Sequence, residues 1–373
     1  MKLINVVGAR PNFIKMAPII SAMNRLSNQI FHTLVHTGQH YDKGMNQSIL
    51  DDLGLPKPDI NLGVGSGSQA EQTARIMMAF EKVCKNIYPD LVILVGDVNS
   101  TLACAITAKK LNIQVAHVEA GLRSHDQSMP EEINRIITDS ISDYLFVTEK
   151  EGIVNLKKEG KNDDQIYFVG NVMIDTLFQN LVRLEGLEKD LIKPNFDIQP
   201  PRYKPYSRYA VITLHRPSNV DKKSTLIDII SALNYISEDL DILFPAHPRT
   251  QKRIKEFGLT PSINGTIKIL PPLPYLSFLN LWKNADFVLT DSGGLQEETT
   301  ALGIPCFTIR DNTERPITVE EGTNTLVGTK AKGILTAYED FKNGKSKKGR
   351  IPDLWDGRAA ERIVDILLRK FSR

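Results

Sequence analysis

At 373 residues the chain has room for two domains of ordinary size rather than one. Its 46 Lys and Arg against 44 Asp and Glu leave a net charge of +2, which argues against a nucleic-acid binder that works by neutralising phosphates. The balance of 41% apolar and 24% charged residues excludes a disordered or fibrous chain, and three scattered cysteines (Cys84, Cys104, Cys306) without a C-x-x-C exclude a disulfide framework or a cysteine-rich metal site.

The cysteine usage fits a reducing compartment. The opening apolar run, Met1-Lys-Leu-Ile-Asn-Val-Val-Gly, is too short for a signal peptide and is followed at once by Arg10 and Lys15. No apolar stretch approaches the roughly 18 residues of a membrane helix. The expectation is a cytoplasmic protein without a membrane segment.

The first half repeats one unit: a short β-rich apolar run, a polar or glycine-containing break, then a helical stretch. Strands are predicted at 3–7, 31–36, 91–95, 115–118 and 144–147, each leading to a helix, near 15–26, 43–53, 99–111, 131–142 and 149–159. Runs apolar on both faces read as strands of a parallel sheet covered by helices on both sides. Pro18 is tolerable if the first helix begins near Lys15, since a first-turn proline loses no hydrogen bond. Residues 193–207 hold four of the twenty prolines and can continue neither a helix nor a central strand, so they read as an interdomain linker.

The alternation then resumes, with strands at 209–214, 241–244, 267–270, 287–290 and 305–309 and a last helix at about 357–371. The fold class is α/β, with two doubly wound, Rossmann-like domains facing each other across a cleft. The domains are residues 1–192 and 208–355. The basic, glycine-broken run 342–350 reads as a solvated loop.

Three short patterns carry no chemistry. Gly344-Lys345-Ser346 resembles the end of a phosphate loop, but Glu339 stands where the earlier glycine is required. Gly63 to Gly67 lacks the G-x-G-x-x-G spacing and reads as a mobile loop. His32, His36 and His40 would line up on a helix, yet they fall on a strand, so no metal is expected. No G-x-S-x-G occurs.

Ligands bind past the carboxyl ends of strands in such sheets, and three groups of polar residues fall there. Gly8-Ala9-Arg10-Pro11-Asn12-Phe13-Ile14-Lys15 turns on glycine and presents Arg10 and Lys15 at a helix start, suited to a phosphate-bearing ligand. Thr290-Asp291-Ser292-Gly293-Gly294 opens a helix whose free N–H groups suit a phosphate, and Glu298, one turn on, can take both hydroxyls of a ribose. The third group is acidic: Asp97, Glu119, Glu131 and Glu132, with His117 and His215. Asp97 and Glu119 end neighbouring strands, where paired acids suit acid–base work. Each also has a plain structural reading as a cap or partner, and Glu132 reads as a helix-start charge.

Together these residues resemble the non-hydrolysing UDP-N-acetylglucosamine 2-epimerase family. The likeness runs nearly end to end, through Gly-Ala-Arg-Pro-Asn-Phe-Ile-Lys-Met-Ala-Pro, His-Thr-Gly-Gln-His, His-Val-Glu-Ala-Gly-Leu-Arg, Pro-Glu-Glu-Ile-Asn-Arg, Thr-Asp-Ser-Gly-Gly-Leu-Gln-Glu-Glu and Arg-Asp-Asn-Thr-Glu-Arg-Pro. It implies a GT-B arrangement in which the final helix, 356–373, returns to the N-terminal domain. It implies that UDP is held by the C-terminal domain, with Phe278 by the uracil, Ser292, Gly293 and Gly294 by the phosphates and Glu298 by the ribose. Arg10, His215 and Arg315 complete the diphosphate site, while Lys15, Asp97, Glu119 and Glu131 face the sugar.

The implied reaction is reversible inversion at carbon 2, by elimination and re-addition of UDP through 2-acetamidoglucal. It feeds cell-surface polysaccharide synthesis and needs no cofactor, metal or nucleic acid. A carboxylate (Asp97, Glu119 or Glu131) takes the carbon-2 proton, and His215 protonates the leaving diphosphate. The family also suggests a homodimer, and in some bacterial members a second substrate molecule binds as activator near Gln39, Arg216 and His247. Those members carry Glu where this chain has Ser218, in His215-Arg216-Pro217-Ser218-Asn219. Alternatives are a 2-epimerase of a modified UDP-2-acetamido sugar, a GT-B glycosyltransferase needing an acceptor, a hydrolysing relative, and a UDP-sugar sensor.

Overall fold

The computed structural model describes residues 1–25, 28–38, 57–188, 208–260, 263 and 265–371. The expected linker at 193–207, the helix near 43–53, Gln39 and His40 lie outside the described residues. The chain divides into two compact units, Met1–Asn180 with Asp353–Arg373, and Leu181–Pro352. Both are parallel sheets flanked by helices, which bears out the doubly wound α/β reading.

In the first unit the strands are β1 (Lys2–Val7), β2 (Phe31–His36), β3 (Ile60–Asn61), β4 (Leu91–Val95), β5 (Gln114–Val118), β6 (Tyr144–Val147) and β7 (Ile166–Phe168). They lie in the order β3-β2-β1-β4-β5-β6-β7, so the winding reverses between β1 and β4. Side chains alternate across each strand. Leu3, Val7, Leu91, Ile93, Val95, Ala116 and Val118 therefore enter one core with the helices Arg10–Asn24 and Ala359–Phe371. Ile4, Val6, Val92, Leu94 and Val115 enter the opposite core, with the helices Gln69–Ile87 and Asn99–Lys110.

The last helix belongs to this unit. It buries Ile363, Val364 and Leu367, roughly 2 kcal/mol for each side chain. Asp175, on the helix Val172–Glu188, accepts from the N–H groups of Ala359 (3.1 Å) and Ala360 (2.7 Å) and so caps the last helix from outside.

The second unit holds β8 (Tyr209–Thr213), β9 (Asp241–Pro245), β10 (Ile267–Leu270), β11 (Phe287–Thr290), β12 (Cys306–Thr308) and β13 (Asn324–Leu326). Their order, β10-β9-β8-β11-β12-β13, repeats the pattern of the first sheet and reverses between β8 and β11. Ala210, Ile212, Ile242, Phe244, Phe287, Leu289 and Phe307 pack against the helices Lys223–Ile236 and Ala331–Lys342.

Most expected bounds hold to within two residues, and the first helix departs furthest. The first helix starts at Arg10, with Pro11 in its first turn, so Pro18 lies in its interior rather than at its start. Asn12 makes the early start possible: its Oδ1 accepts from the N–H groups of Ala9 (2.9 Å) and Gly8 (3.3 Å), and its Nδ2 donates to the Val95 carbonyl (2.9 Å). The helix Gln69–Ile87 was not among the expected elements. Ser68 and Glu71 form its reciprocal cap, and the Gly63 to Gly67 segment is the loop that leads into it. Among the described residues no helix is long and apolar enough to cross a membrane.

Candidate active site

In the first unit the polar residues gather past β1, β4 and β5. Gly8 leaves β1 so close to β4's following helix that a Cβ there would lie 2.2 Å from Ser100 Oγ. Arg10 is the first residue of its helix. Lys15, one turn further, is buried and forms an ion pair with Glu119, also buried. Glu119 follows β5 in the left-handed region, φ 72°. Gly96 follows β4 at φ 68°, and a Cβ added to it would stand 3.1 Å from Lys15 Nζ and 3.6 Å from Glu119 Oε2. A side chain here would press on the pair, which is why glycine serves.

Asp97 is next. Arg135 Nη1 donates to its Oδ2 at 2.5 Å, and Asn134 Nδ2 donates to its carbonyl at 2.8 Å. Both come from the helix Pro130–Ile141, whose first turn carries Glu131. Four residues separate Glu131 from Arg135, so the two share one face of that helix. The structure thus links Lys15 and Glu119, Gly96 and Asp97, and the Glu131 helix into one connected group. Asp97 keeps about a third of its side chain exposed, at 32%, and Glu131 is half-buried.

The supports behind this group are buried. Glu132 is the expected helix-start charge, in the first turn of the helix Pro130–Ile141, and it is buried. Its carboxylate accepts from Ser124 N–H (3.0 Å) and His125 N–H (2.9 Å) and pairs with Arg135 at 2.6 Å. Those contacts outweigh its burial and hold its carboxyl below the usual range. His117 donates from Nδ1 to Asp139 (2.6 Å) and from Nε2 to the Gly96 carbonyl (2.8 Å), fixing the turn that carries Asp97. Burial alone would push Asp139 up, but His117, Arg123 and the Gly121 N–H keep it low.

In the second unit the residues gather past β8, β9, β11 and β12. Ser292 stands at the N-terminal cap of the helix Gly293–Leu302 without a capping side-chain bond, and Gly293 and Gly294 form its first turn. A Cβ on Gly293 would lie 2.7 Å from Glu314 Oε1. Glu298, buried one turn on, accepts the Tyr275 hydroxyl at 2.6 Å. Tyr275 begins the helix Tyr275–Trp282, which also carries the half-buried Phe278. Arg315 is buried against Glu297, Nε to Oε1 at 2.9 Å.

Glu314 lies among arginines, 2.6 Å from Arg310 and 3.5 Å from Arg216. Burial opposes its ionisation, yet Arg310, Arg315 and Arg216 hold its carboxyl down at about 2. His215 is half-exposed beside the fully buried Asp291. His247 is exposed at the cap of the helix Pro248–Glu256, where its Nδ1 accepts from Arg249 N–H at 3.2 Å. Partial burial, His215 and Arg249 push its pKa down. Ser218 is exposed on the short helix Pro217–Val220.

The residues to which motif reading gave no role are the ones that hold others: Arg135, Asn134, Tyr275, Asp291, Glu297 and Glu314. A signal existed for Asn134 and Arg135, which follow Glu131 by three and four residues and so return to its face. None existed for Tyr275 and Glu298, 23 residues apart.

A family model described as UDP-N-acetylglucosamine 2-epimerase matches residues 23–368. The UDP-N-acetylglucosamine 2-epimerase of Methanocaldococcus jannaschii is 45% identical over 371 residues, covering 98% of this chain and 99% of that protein. The crystal structure of the Methanocaldococcus jannaschii enzyme in complex with UDP-GlcNAc and UDP superposes with a TM-score of 0.84 at 43% identity, covering 99% of this chain and 100% of that one. A UDP-2,3-diacetamido-2,3-dideoxy-D-glucuronate 2-epimerase of Pseudomonas aeruginosa is 37% identical, covering 99% of this chain and 100% of that protein.

Proposed function

The chain belongs to the UDP-N-acetylglucosamine 2-epimerase family of isomerases, and from that premise we propose that it interconverts UDP-N-acetylglucosamine and UDP-N-acetylmannosamine without hydrolysing either. The observation that carries the reading is that Asp97, Glu119 and the helix bearing Glu131 gather past β4 and β5 in the unit that also carries Arg10 and Lys15. Transfer of a sugar to an acceptor has no use for three such carboxylates, whereas inversion at carbon 2 needs one acid–base group on each face of the sugar.

The carbon-2 hydrogen is not acidic in the ground state. As the bond from carbon 1 to the diphosphate oxygen breaks, positive charge develops on the ring and the hydrogen becomes removable. One carboxylate takes that proton and 2-acetamidoglucal is left. Arg10, Arg315 and the N–H groups opening the helix at Gly293 and Gly294 stabilise the departing UDP, which His215 protonates. A second carboxylate returns a proton to the opposite face of carbon 2 as UDP re-adds, so no redox step or cofactor enters. Phe278 packs on the uracil and Glu298 takes the ribose hydroxyls. His247 borders the diphosphate. Exclusion of water keeps the glycal from being lost as free sugar.

The same reading has the enzyme work as a cytoplasmic homodimer that supplies cell-surface polysaccharide synthesis. The Pseudomonas aeruginosa relative supports a second reading, a UDP-2-acetamido sugar modified elsewhere on the ring. Proton NMR of the purified protein with UDP-N-acetylglucosamine in deuterated water tests both. The expected result is deuterium at carbon 2 with the manno isomer growing to a constant ratio. Free sugar and UDP would mean a hydrolase. An inert UDP-N-acetylglucosamine beside an exchanging UDP-2,3-diacetamido uronate would establish the second reading.

A further inference from the structure

His215 is held through one ring nitrogen. Its Nδ1 stands 2.7 Å from Asp291 Oδ1, and because a carboxylate can only accept, Nδ1 is the nitrogen that carries the proton. Asp291 is itself fully buried and tied down on its other oxygen. Oδ2 accepts from the N–H groups of His215 (3.0 Å) and Arg216 (2.9 Å) and from Asn219 Nδ2 (3.1 Å). Arg216 Nε closes on the Asp291 carbonyl at 2.9 Å. Asn219 is anchored in turn, donating to the Ile309 carbonyl at 3.0 Å. The residue after β11 is thereby clamped to the residues after β8, at the reversal of the second sheet.

We propose that Asp291 is a positioning residue for His215: it fixes the imidazole as the Nδ1–H tautomer and reserves Nε2 for proton exchange with the leaving diphosphate oxygen. The inference rests on the role given to His215 above. In the elimination, the Nε2 proton of the imidazolium passes to the oxygen released from carbon 1, and the ring is left neutral with Nδ1–H still held by Asp291. Re-addition of UDP returns that proton to Nε2. Burial disfavours the ionised carboxylate, but His215 and the Arg216 N–H outweigh it and hold the Asp291 carboxyl below its ordinary range. A fixed carboxylate behind the ring also stabilises the imidazolium, as in other acid–base pairs of this geometry.

The first test reads the wild-type protein. In protein labelled with 15N-histidine, the His215 resonances, assigned by their loss in His215→Ala, are expected to show a pyrrole-like Nδ1 and a pyridine-like Nε2 in the neutral form. The reverse tautomer would overturn the proposal. The second test is kinetic. Asp291→Asn is expected to lower kcat by about 100-fold or more while UDP binding changes less than about 3-fold, and to add no further loss in the His215→Ala background. A multiplicative loss in the double variant, or a fast Asp291→Asn beside a slow His215→Ala, would overturn this inference alone. Wild-type turnover in His215→Ala would overturn the role of His215 and the inference with it.

Discussion

Thr176 donates its hydroxyl to the Ile14 carbonyl at 2.6 Å, the oxygen that the N–H of residue 18 would satisfy in an unbroken helix. Residue 18 is proline and has no N–H, so a side chain from the helix Val172–Glu188 stands in for it. Thr176→Val should therefore strand a buried acceptor and cost about 1–2 kcal/mol. Pro18→Ala restores the donor and should recover most of that loss in the double variant. Urea unfolding of the two single variants and the double variant checks it.

Glu119 bears a side chain in the left-handed region, at φ 72°, where most non-glycine residues are disfavoured. Its ion pair with Lys15 and the two backbone bonds that Glu119 and Ala120 make to the Phe146 carbonyl, both 3.1 Å, hold it there. Glu119→Ala and Glu119→Gly both remove the carboxylate, and both should abolish epimerisation. Only glycine relieves the backbone, so Glu119→Gly should be more stable than Glu119→Ala by about 1 kcal/mol. Equal melting temperatures would mean that the turn relaxes around alanine.

The sheets were legible because each central strand is apolar on both faces, and β4, β6, β10 and β11 coincide with their expected runs. The short strands β3, β7 and β13 carry too few side chains to show a period, whereas β12, equally short, lies inside the expected strand at 305–309. The start of the first helix was misjudged because Asn12 acts through contacts with β4, which local propensity does not contain. In the candidate site, residues that follow a strand end were readable from glycine and charge. Their supports from distant positions were not. Asp291 and Asn219 meet across 72 positions, and Glu298 and Tyr275 belong to different helices.

Glu314 ties part of the second unit's stability to pH. Its carboxyl titrates at about 2 rather than the ordinary 4.5, burial being outweighed by Arg310, Arg315 and Arg216. The stabilisation is complete above about 4.5 and is lost as pH falls toward 2, and at neutral pH it is on the order of 3 kcal/mol. Glu314→Gln should therefore lower stability by that order at pH 7 while showing a shallower loss between pH 4.5 and 2 than the parent. Chemical denaturation across that range measures both slopes.

Tyr275 offers a way to weigh Glu298 without touching it. The Tyr275 hydroxyl donates to Glu298 Oε1 at 2.6 Å, and both side chains are buried. Tyr275→Phe removes the donor and leaves the packing of the helix Tyr275–Trp282 in place. If Glu298 takes the ribose hydroxyls, its orientation matters for UDP and much less for 2′,3′-dideoxy-UDP. The variant should weaken UDP binding by about 5- to 10-fold, the worth of one ordinary hydrogen bond. Binding of the dideoxynucleotide should change less than about 2-fold, because both hydroxyls that Glu298 would take are missing there. Titration calorimetry with both nucleotides closes the cycle, and an equal loss for the two would place the effect of Tyr275 on the uracil side, through Phe278, instead.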